Sequence, residues 1–434
     1  MALDSAPPSP PVRIGLLGCG NVGAALVQLL ADEADALAER TNLRFEVARV
    51  AVRNVARERA VELPEGCLTH DADAVVTDPD VDVVVELIGG IEPARRLVLA
   101  ALKQGKPVVT ANKELLANVG AELFEAAATA GVDLLYEASV AGAIPLIRPL
   151  RESLAGERIT RVMGIVNGTT NYILTRMTEE GASYSEALAE AQSLGYAERD
   201  PTADVEGYDA GAKAAILASI AFGVSVVAGD VYREGISGVT PADIDVARRL
   251  GYVVKLLAIA ERVDGDVAVR VHPAMIPTTH PLASVRESFN AVFIEGEAVG
   301  ELMLYGRGAG GRPTASAVLG DLVDAAHNLR VQSSGRTGTF RTGRFRPIDE
   351  LSSQYYLNLD VVDRPGVLAA VAQVFGEHGV SIRSMEQEGL GDEARLVFIT
   401  HRALERDVQG TLHGLRHLDA VKRIGTLLRV VGPE

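Results

Sequence analysis

The chain has 434 residues, of which 47% are hydrophobic and 23% charged, with a formal net charge of −16, no tryptophan and only 4% aromatic residues. That length exceeds one ordinary core, so two or three domains are expected, and the charge and scarcity of rings argue against nucleic acid or an anionic membrane as a partner. No apolar run is long enough to span a bilayer, the start MALDSAPPSPP lacks a basic-then-apolar signal, and two cysteines, Cys19 and Cys67, make no disulfide framework; a cytoplasmic location is expected.

Residues 1–11 are rich in Pro and Ser and read as a disordered tail. From Val12 apolar strands alternate with helices. The strands are VRIGLLG, FEVARVAV, Val81–Ile88, Pro107–Thr110 and Val132–Tyr136, and the helices begin near Val22 and cover Pro93–Gln104 and Glu114–Ala130. Continuous Val/Ile/Leu strands separated by helices imply a parallel sheet covered on both faces, a Rossmann-like nucleotide-binding domain over residues 12–141.

Gly18-Cys19-Gly20-Asn21-Val22-Gly23 directly follows the first strand and opens a helix. That is the setting in which G-x-G-x-x-G binds a dinucleotide. The first glycine makes the turn, the second admits the pyrophosphate, and the third lets helix and strand pack closely. The second strand runs out into Val52-Arg53-Asn54 with no acid to hold a ribose 2′-hydroxyl, so Arg53 favours NADP(H), with NAD(H) as the alternative.

Thr110-Ala111-Asn112-Lys113 lies past the C-terminal end of a parallel strand, where ligands bind in open α/β sheets, which makes Lys113 a candidate functional lysine. Glu137, in YEASVAGAI, sits where the sheet gives way to the next domain. It reads first as a buried carboxylate satisfied by backbone amides. A weaker reading is that it joins irregular carbonyls around a hard cation.

Residues 142–311 read as a second, α+β domain with strands such as Arg158–Val166, Val267–Ala274 and Ala291–Glu295. Within it, AQSLGYAERDPTADVEGYDAGAK (Ala191–Lys213) gathers acids on an irregular Gly/Pro-punctuated loop that leads into an apolar helix. Asp209 and Lys213, four apart, share one helical face. A lysine partly desolvated beside a carboxylate suits proton transfer. Glu198 and Asp204 precede them.

A second glycine cluster, Gly306–Gly311, precedes a helix over 312–330 that is expected to pack back on the nucleotide-binding domain. Residues 331–351 read as a linker. From 352 to 434 the order βαββαβ indicates a ferredoxin-like module. Eight scattered histidines lack metal-ligand spacing, and neither cysteine, Cys19 in the glycine turn or Cys67 in a polar loop, looks like a nucleophile.

Taken together these residues resemble the homoserine dehydrogenase family. Ala191–Lys213 fills every specified position of its pattern A-x3-G-[apolar]-[small]-x2-D-P-x2-D-[apolar]-x-G-x-D-x3-K. GLLGCGNVG, TANK, EASVAGAIP, GIVNGTTNYIL (Gly164–Leu174) and YGRGAGGRPTASAV are similar to its other segments, and Asp363–Leu368 resembles the first turn of an ACT domain. The resemblance implies reversible NAD(P)H-dependent reduction of L-aspartate 4-semialdehyde to L-homoserine on the route to threonine and methionine.

It further implies that Lys213 is the proton donor and acceptor, that Glu198 and Asp209 hold the substrate, that Asp204 orders the site, and that Lys113 lies near substrate and nicotinamide. Gly18, Gly20, Asn21, Val22, Gly23, Arg53, Gly195, Gly310 and Gly311 match cofactor positions. Glu137, Val140, Gly142 and Ile144 match a Na+ or K+ site built mostly from main-chain oxygens. Threonine is the expected effector, bound where paired ACT modules meet; residues 142–311 are implied to be the substrate and dimerisation domain, and a homodimer or homotetramer is the expected assembly. Two rival readings fit less well: aspartate-semialdehyde dehydrogenase needs a thiol nucleophile, which neither Cys19 nor Cys67 is convincingly placed to supply, and a catalytically silent amino-acid sensor would not need both lysines and the whole acidic loop.

Overall fold

The computed structural model describes residues 10–335, 340–389 and 391–432. Most of the expected tail and part of the expected linker, residues 1–9 and 336–339, lie outside the described residues. The chain folds into two compact units. One is built from residues up to Thr160, Ala212–Asp230 and Ile294–Gly343, and the other from Arg161–Gly211, Val231–Phe293 and Arg344 onward.

The first unit carries a six-stranded sheet of β1 (Val12–Leu17), β2 (Phe45–Ala51), β3 (Leu68–Thr69), β4 (Val83–Glu86), β5 (Val108–Thr110) and β6 (Leu134–Leu135). They form one sheet in the order β3-β2-β1-β4-β5-β6, with every pairing parallel. Ile14, Leu16, Val83, Val85 and Val109 are buried against Leu26 and Leu30 of the helix Asn21–Asp32. The helix Gly311–Arg330 returns to this core through Ala315, Val318, Leu322, Ala325 and Ala326. Those positions recur at three- and four-residue spacing and so make one apolar stripe. Burial of each such Leu or Val contributes about 1.5–3 kcal/mol.

The second unit is built on strands β7 (Ile159–Ile165), β8 (Tyr232–Arg233), β9 (Tyr252–Val263), β10 (Asp266–Pro277) and β11 (Phe289–Gly296); β12 (Gly300–Arg307) belongs to the first unit. The C-terminal module adds β13 (Ser352–Val362), β14 (Ile382–Gly389), β15 (Glu393–Thr400), β16 (Ala403–Leu404) and β17 (Val421–Val430), with helices Val367–Glu377 and Glu405–Arg416. One sheet runs β11-β7-β9-β10-β17-β13-β15-β14. The ferredoxin-like order β17-β13-β15-β14 is joined to the middle strands by a short parallel pairing, Ala274 with Arg429 and Met275 with Val430.

Strand β9 is not marked by alternation in the sequence. Its residues 254–260, VKLLAIA, are buried on both faces, and such a run, apolar but for Lys255, cannot be told from a helix by periodicity. Asp204 also departs from the expected irregular loop: it lies on a single helical turn, Thr202–Val205, that follows Pro201.

Candidate active site

The three glycines of the first turn meet three different surroundings. Gly18 has φ +96°, and a Cβ there would stand 2.8 Å from the Leu87 carbonyl oxygen. A Cβ on Gly23 would lie 2.5 Å from the Gly18 oxygen, whereas one on Gly20 would meet nothing within 4 Å. Turn and packing therefore demand the outer two, while the middle glycine leaves open space at the N-terminus of the helix Asn21–Asp32. Backbone N–H groups and the helix dipole suit that space to a phosphate.

Gly310, with φ +122°, caps the helix Gly311–Arg330, and a Cβ on Gly311 would approach the Asn21 oxygen at 3.1 Å. The second glycine cluster is thus brought beside the first. Arg53 and Arg57 are exposed after β2. Arg59, which the sequence did not single out, donates to the carbonyls of Asn54 and Arg57 and shapes that loop.

At the C-terminal ends of β4 and β5 the organising group is Glu86, fully buried and likewise not marked in the sequence. Its Oε1 accepts from the Ile88 and Gly89 amides at 2.8 and 3.1 Å, and its Oε2 accepts from the Thr110 hydroxyl at 2.6 Å. Asn112 caps the next helix by accepting from the Leu115 amide at 3.0 Å, and its side-chain nitrogen donates to the Gly90 carbonyl at 2.7 Å. Lys113 is the first residue of that helix. Its backbone is therefore held by a fully bonded buried network at the sheet edge where ligands bind in such folds.

Asn167 gathers the acids of the second unit. It caps the helix Gly168–Glu179, its Oδ1 accepting from the Thr170 amide at 2.9 Å, which leaves its Nδ2 to donate to Asp204 Oδ1 at 2.7 Å and Asp209 Oδ2 at 2.9 Å. Asp209 lies in the first turn of the helix Tyr208–Phe222, where a carboxylate is favoured by the helix dipole, and Lys213 follows one turn later. Both are nearly buried, at 7% and 8% exposure. Asn167 lies in GIVNGTTNYIL, and its role as bridge was not read from the sequence.

Glu198 is exposed. Its stretch is tied down by the Thr169 hydroxyl donating to the Tyr196 carbonyl at 2.7 Å and by Gln192 Nε2 donating to the Glu198 carbonyl at 3.0 Å. Gly195 turns the chain before it, with φ +76°.

Glu137 is a buried carboxylate saturated by amides: Oε1 accepts from Leu146 and Ile147, and Oε2 from Arg148. A cation at this loop would therefore be met by main-chain oxygens. Gly142 has φ +50° and its Cα faces the Gly308 carbonyl, where a Cβ would be 2.5 Å away; the Ala143 amide donates to the Arg307 oxygen at 3.1 Å. Val140 and Ile144 are buried on either side. Burial pushes the neighbouring Asp321 carboxyl up to about 7 against the opposing effect of the Glu137 amide.

Cys67 does lie in the loop before β3, but its side chain is 3% exposed and part of the first unit's core, because that short strand packs beside β2. Burial pushes both thiols, Cys19 and Cys67, above the ordinary range. A thiol so shifted is a poor nucleophile. In the C-terminal module a concave site of about 450 Å³ is lined by Val361–Leu368 with Gln387, Ala394 and Leu396.

Comparison with known proteins matches residues 145–323 to the homoserine dehydrogenase family, 18–137 to the homoserine dehydrogenase NAD-binding domain and 355–412 to the ACT domain. Homoserine dehydrogenase of Corynebacterium glutamicum is 52% identical over 98% of this chain and 96% of its own, and that of Mycobacterium tuberculosis 51% over 97% and 98%. The crystal structure of a homoserine dehydrogenase from Thiobacillus denitrificans superposes with a TM-score of 0.92 at 42% identity, covering 97% of this chain and 98% of that one. A hyperthermophilic archaeal homoserine dehydrogenase in complex with NADPH superposes with a TM-score of 0.60 at 29% identity over 73% of this chain and 98% of that one. Among the described residues no helix is long and apolar enough to cross a membrane. The chain belongs to the homoserine dehydrogenase family, with an N-terminal NAD(P)-binding domain and a C-terminal ACT regulatory domain.

Proposed function

We propose that the chain interconverts L-aspartate 4-semialdehyde and L-homoserine with NADP(H) as the favoured cofactor and NAD(H) as the alternative. The observation that carries this reading is the single amide of Asn167 donating to both Asp204 and Asp209 at the head of the helix that bears Lys213. When bound, the nicotinamide supplies or accepts hydride. The chain's own residues do the rest. Lys213 gives a proton to the carbonyl oxygen as it is reduced and takes it back from the hydroxyl in the reverse direction. Glu198 and Asp209 hold the amino acid through its ammonium, Asp204 keeps the site ordered, and Lys113 offers counter-charge near substrate and nicotinamide.

Gly18, Gly20, Asn21, Val22 and Gly23, with Gly195, Gly310 and Gly311, hold the cofactor, and Arg53 takes the 2′-phosphate. The open space over Gly20 and the approach of Gly311 to Asn21 support that reading. Na+ or K+ is held by main-chain oxygens of Glu137, Val140, Gly142 and Ile144, which suits a loop whose one carboxylate already serves three amides. Threonine is the effector, bound where paired ACT modules meet, and the working form is a homodimer or homotetramer.

The test is oxidation of NADPH and of NADH with L-aspartate 4-semialdehyde, each with and without threonine. The expected result is a higher kcat/KM with NADPH, and slowing by threonine. Equal or better use of NADH removes Arg53 from the cofactor assignment, and a rate unchanged by millimolar threonine overturns the effector assignment.

A further inference from the structure

Arg429, on the last strand of the ACT module, is 1% exposed. Its guanidinium is gripped along two edges. Nε and one terminal nitrogen donate to Glu405 at 2.9 and 2.7 Å, and the two terminal nitrogens donate to Glu234 at 2.8 Å each. The Tyr355 hydroxyl donates to Glu405 at 2.9 Å and the Tyr232 hydroxyl to Glu234, and the Tyr232 ring lies 5.5 Å from the guanidinium carbon. Stability alone is a weak reason for such a cluster, because desolvation of buried ions offsets most of their attraction and apolar replacements often serve as well. Its placement is more informative than its energy.

Glu405 and Arg429 belong to the ACT module, while Glu234 lies directly after β8 among the elements that back the acidic segment. The Glu234 amide donates to the Val271 oxygen of β10, and the Ile236 amide donates to the Val205 oxygen, both at 2.8 Å. A Cβ on Gly235 would stand 2.4 Å from that Val205 oxygen and 2.7 Å from Glu206 Cα. Arg233 stacks on the Tyr208 ring at 4.6 Å and passes 2.7 Å from where a Cβ on Gly211 would be. Gly235 and Ile236 thus meet Val205 and Glu206 backbone to backbone, and Arg233 adds a side-chain contact on Tyr208. At Gly235 the two backbones approach too closely for a side chain to lie between them, so a displacement there is passed on through close packing.

We infer that Glu234 and Arg429 are positioning residues for the substrate acids: the Arg429–Glu405 pair sets the place of Glu234, and Glu234, through Gly235, sets the place of Asp204 and Asp209. The ACT module is thereby a determinant of substrate affinity through a fixed contact as well as a site for an effector. This rests on the reading of Asp204 and Asp209 as substrate-site acids.

Two full-length variants test it. R429K keeps the charge but cannot grip two carboxylates edge-on; E234Q keeps the shape and weakens the grip at a side chain that is 31% exposed. With NADP+ saturating, each is expected to raise KM for L-homoserine about tenfold while kcat per folded enzyme stays within about twofold and KM for NADP+ is unchanged. A purely structural role would instead lower the thermal midpoint and the folded fraction with KM for homoserine unmoved, and that result overturns the proposal. Should R429K not fold, E234Q decides. Wild-type enzyme without homoserine turnover would strike the functional reading itself; wild-type turnover with unchanged KM in the variants strikes this inference alone.

Discussion

Asn167 Nδ2 lies 2.9 Å from Asp209 Oδ2, and the same nitrogen reaches Asp204 at 2.7 Å. The other end of the amide is committed to the cap of its own helix, so its orientation is fixed and both donors face the acids. One residue therefore serves two jobs that a substitution can separate.

Serine at this position keeps a capping oxygen but has no amide to bridge the carboxylates. N167S is expected to lower kcat/KM for homoserine about 10–100-fold with a thermal midpoint near wild type, whereas N167A also loses about 1 kcal/mol of stability with its cap. Steady-state rates with thermal unfolding check both. Equal activity of N167S and wild type would remove the bridge from the account.

The glycine turn allows a similar separation. Alanine at Gly20 meets nothing within 4 Å, and the backbone there has φ −87°, so G20A is expected to fold with unchanged stability and to weaken cofactor binding. G23A forces a Cβ to 2.5 Å from the Gly18 oxygen and is expected to destabilise the first unit by about 1–3 kcal/mol. Cofactor titration beside urea unfolding distinguishes them; normal cofactor affinity in G20A contradicts the pyrophosphate placement.

Lys255, on β9, is buried with its ammonium donating to Asn171 Oδ1 at 2.9 Å and to the Val285 carbonyl. Desolvation pulls its pKa down to about 8. The folded protein then binds fewer protons than the unfolded chain between about pH 8 and 10.4, so this group's penalty is full below pH 8 and is relieved as pH rises. Urea unfolding of wild type minus K255Q is expected to show wild type gaining about 2–3 kcal/mol across that window. A flat difference contradicts a charged, desolvated Lys255.

Much of this was legible in the sequence, for local reasons. The G-x-G-x-x-G turn carries its own geometry in its glycines, and the ferredoxin-like module shows alternating strands with clear helices. The acidic segment showed through Gly195, Pro201 and Gly207, which mark its turns, and through the four-residue spacing of Asp209 and Lys213. What escaped depends on partners distant in sequence. Glu86 meets Thr110, Asn167 meets Asp204 and Asp209, and Arg429 meets Glu234, a separation of 195 residues. An isolated Glu or Arg carries no mark of such a partner. Strand β9 escaped because burial on both faces erases the alternation that identifies a strand.

The most direct test of the account is the rate of NADPH oxidation by L-aspartate 4-semialdehyde, without phosphate, for wild type and K213A. Turnover by wild type that falls about 10²–10⁴-fold in K213A, with the cofactor still bound, is the predicted result for a residue that moves the proton at the reacting oxygen. A K213A enzyme working near the wild-type rate would contradict it.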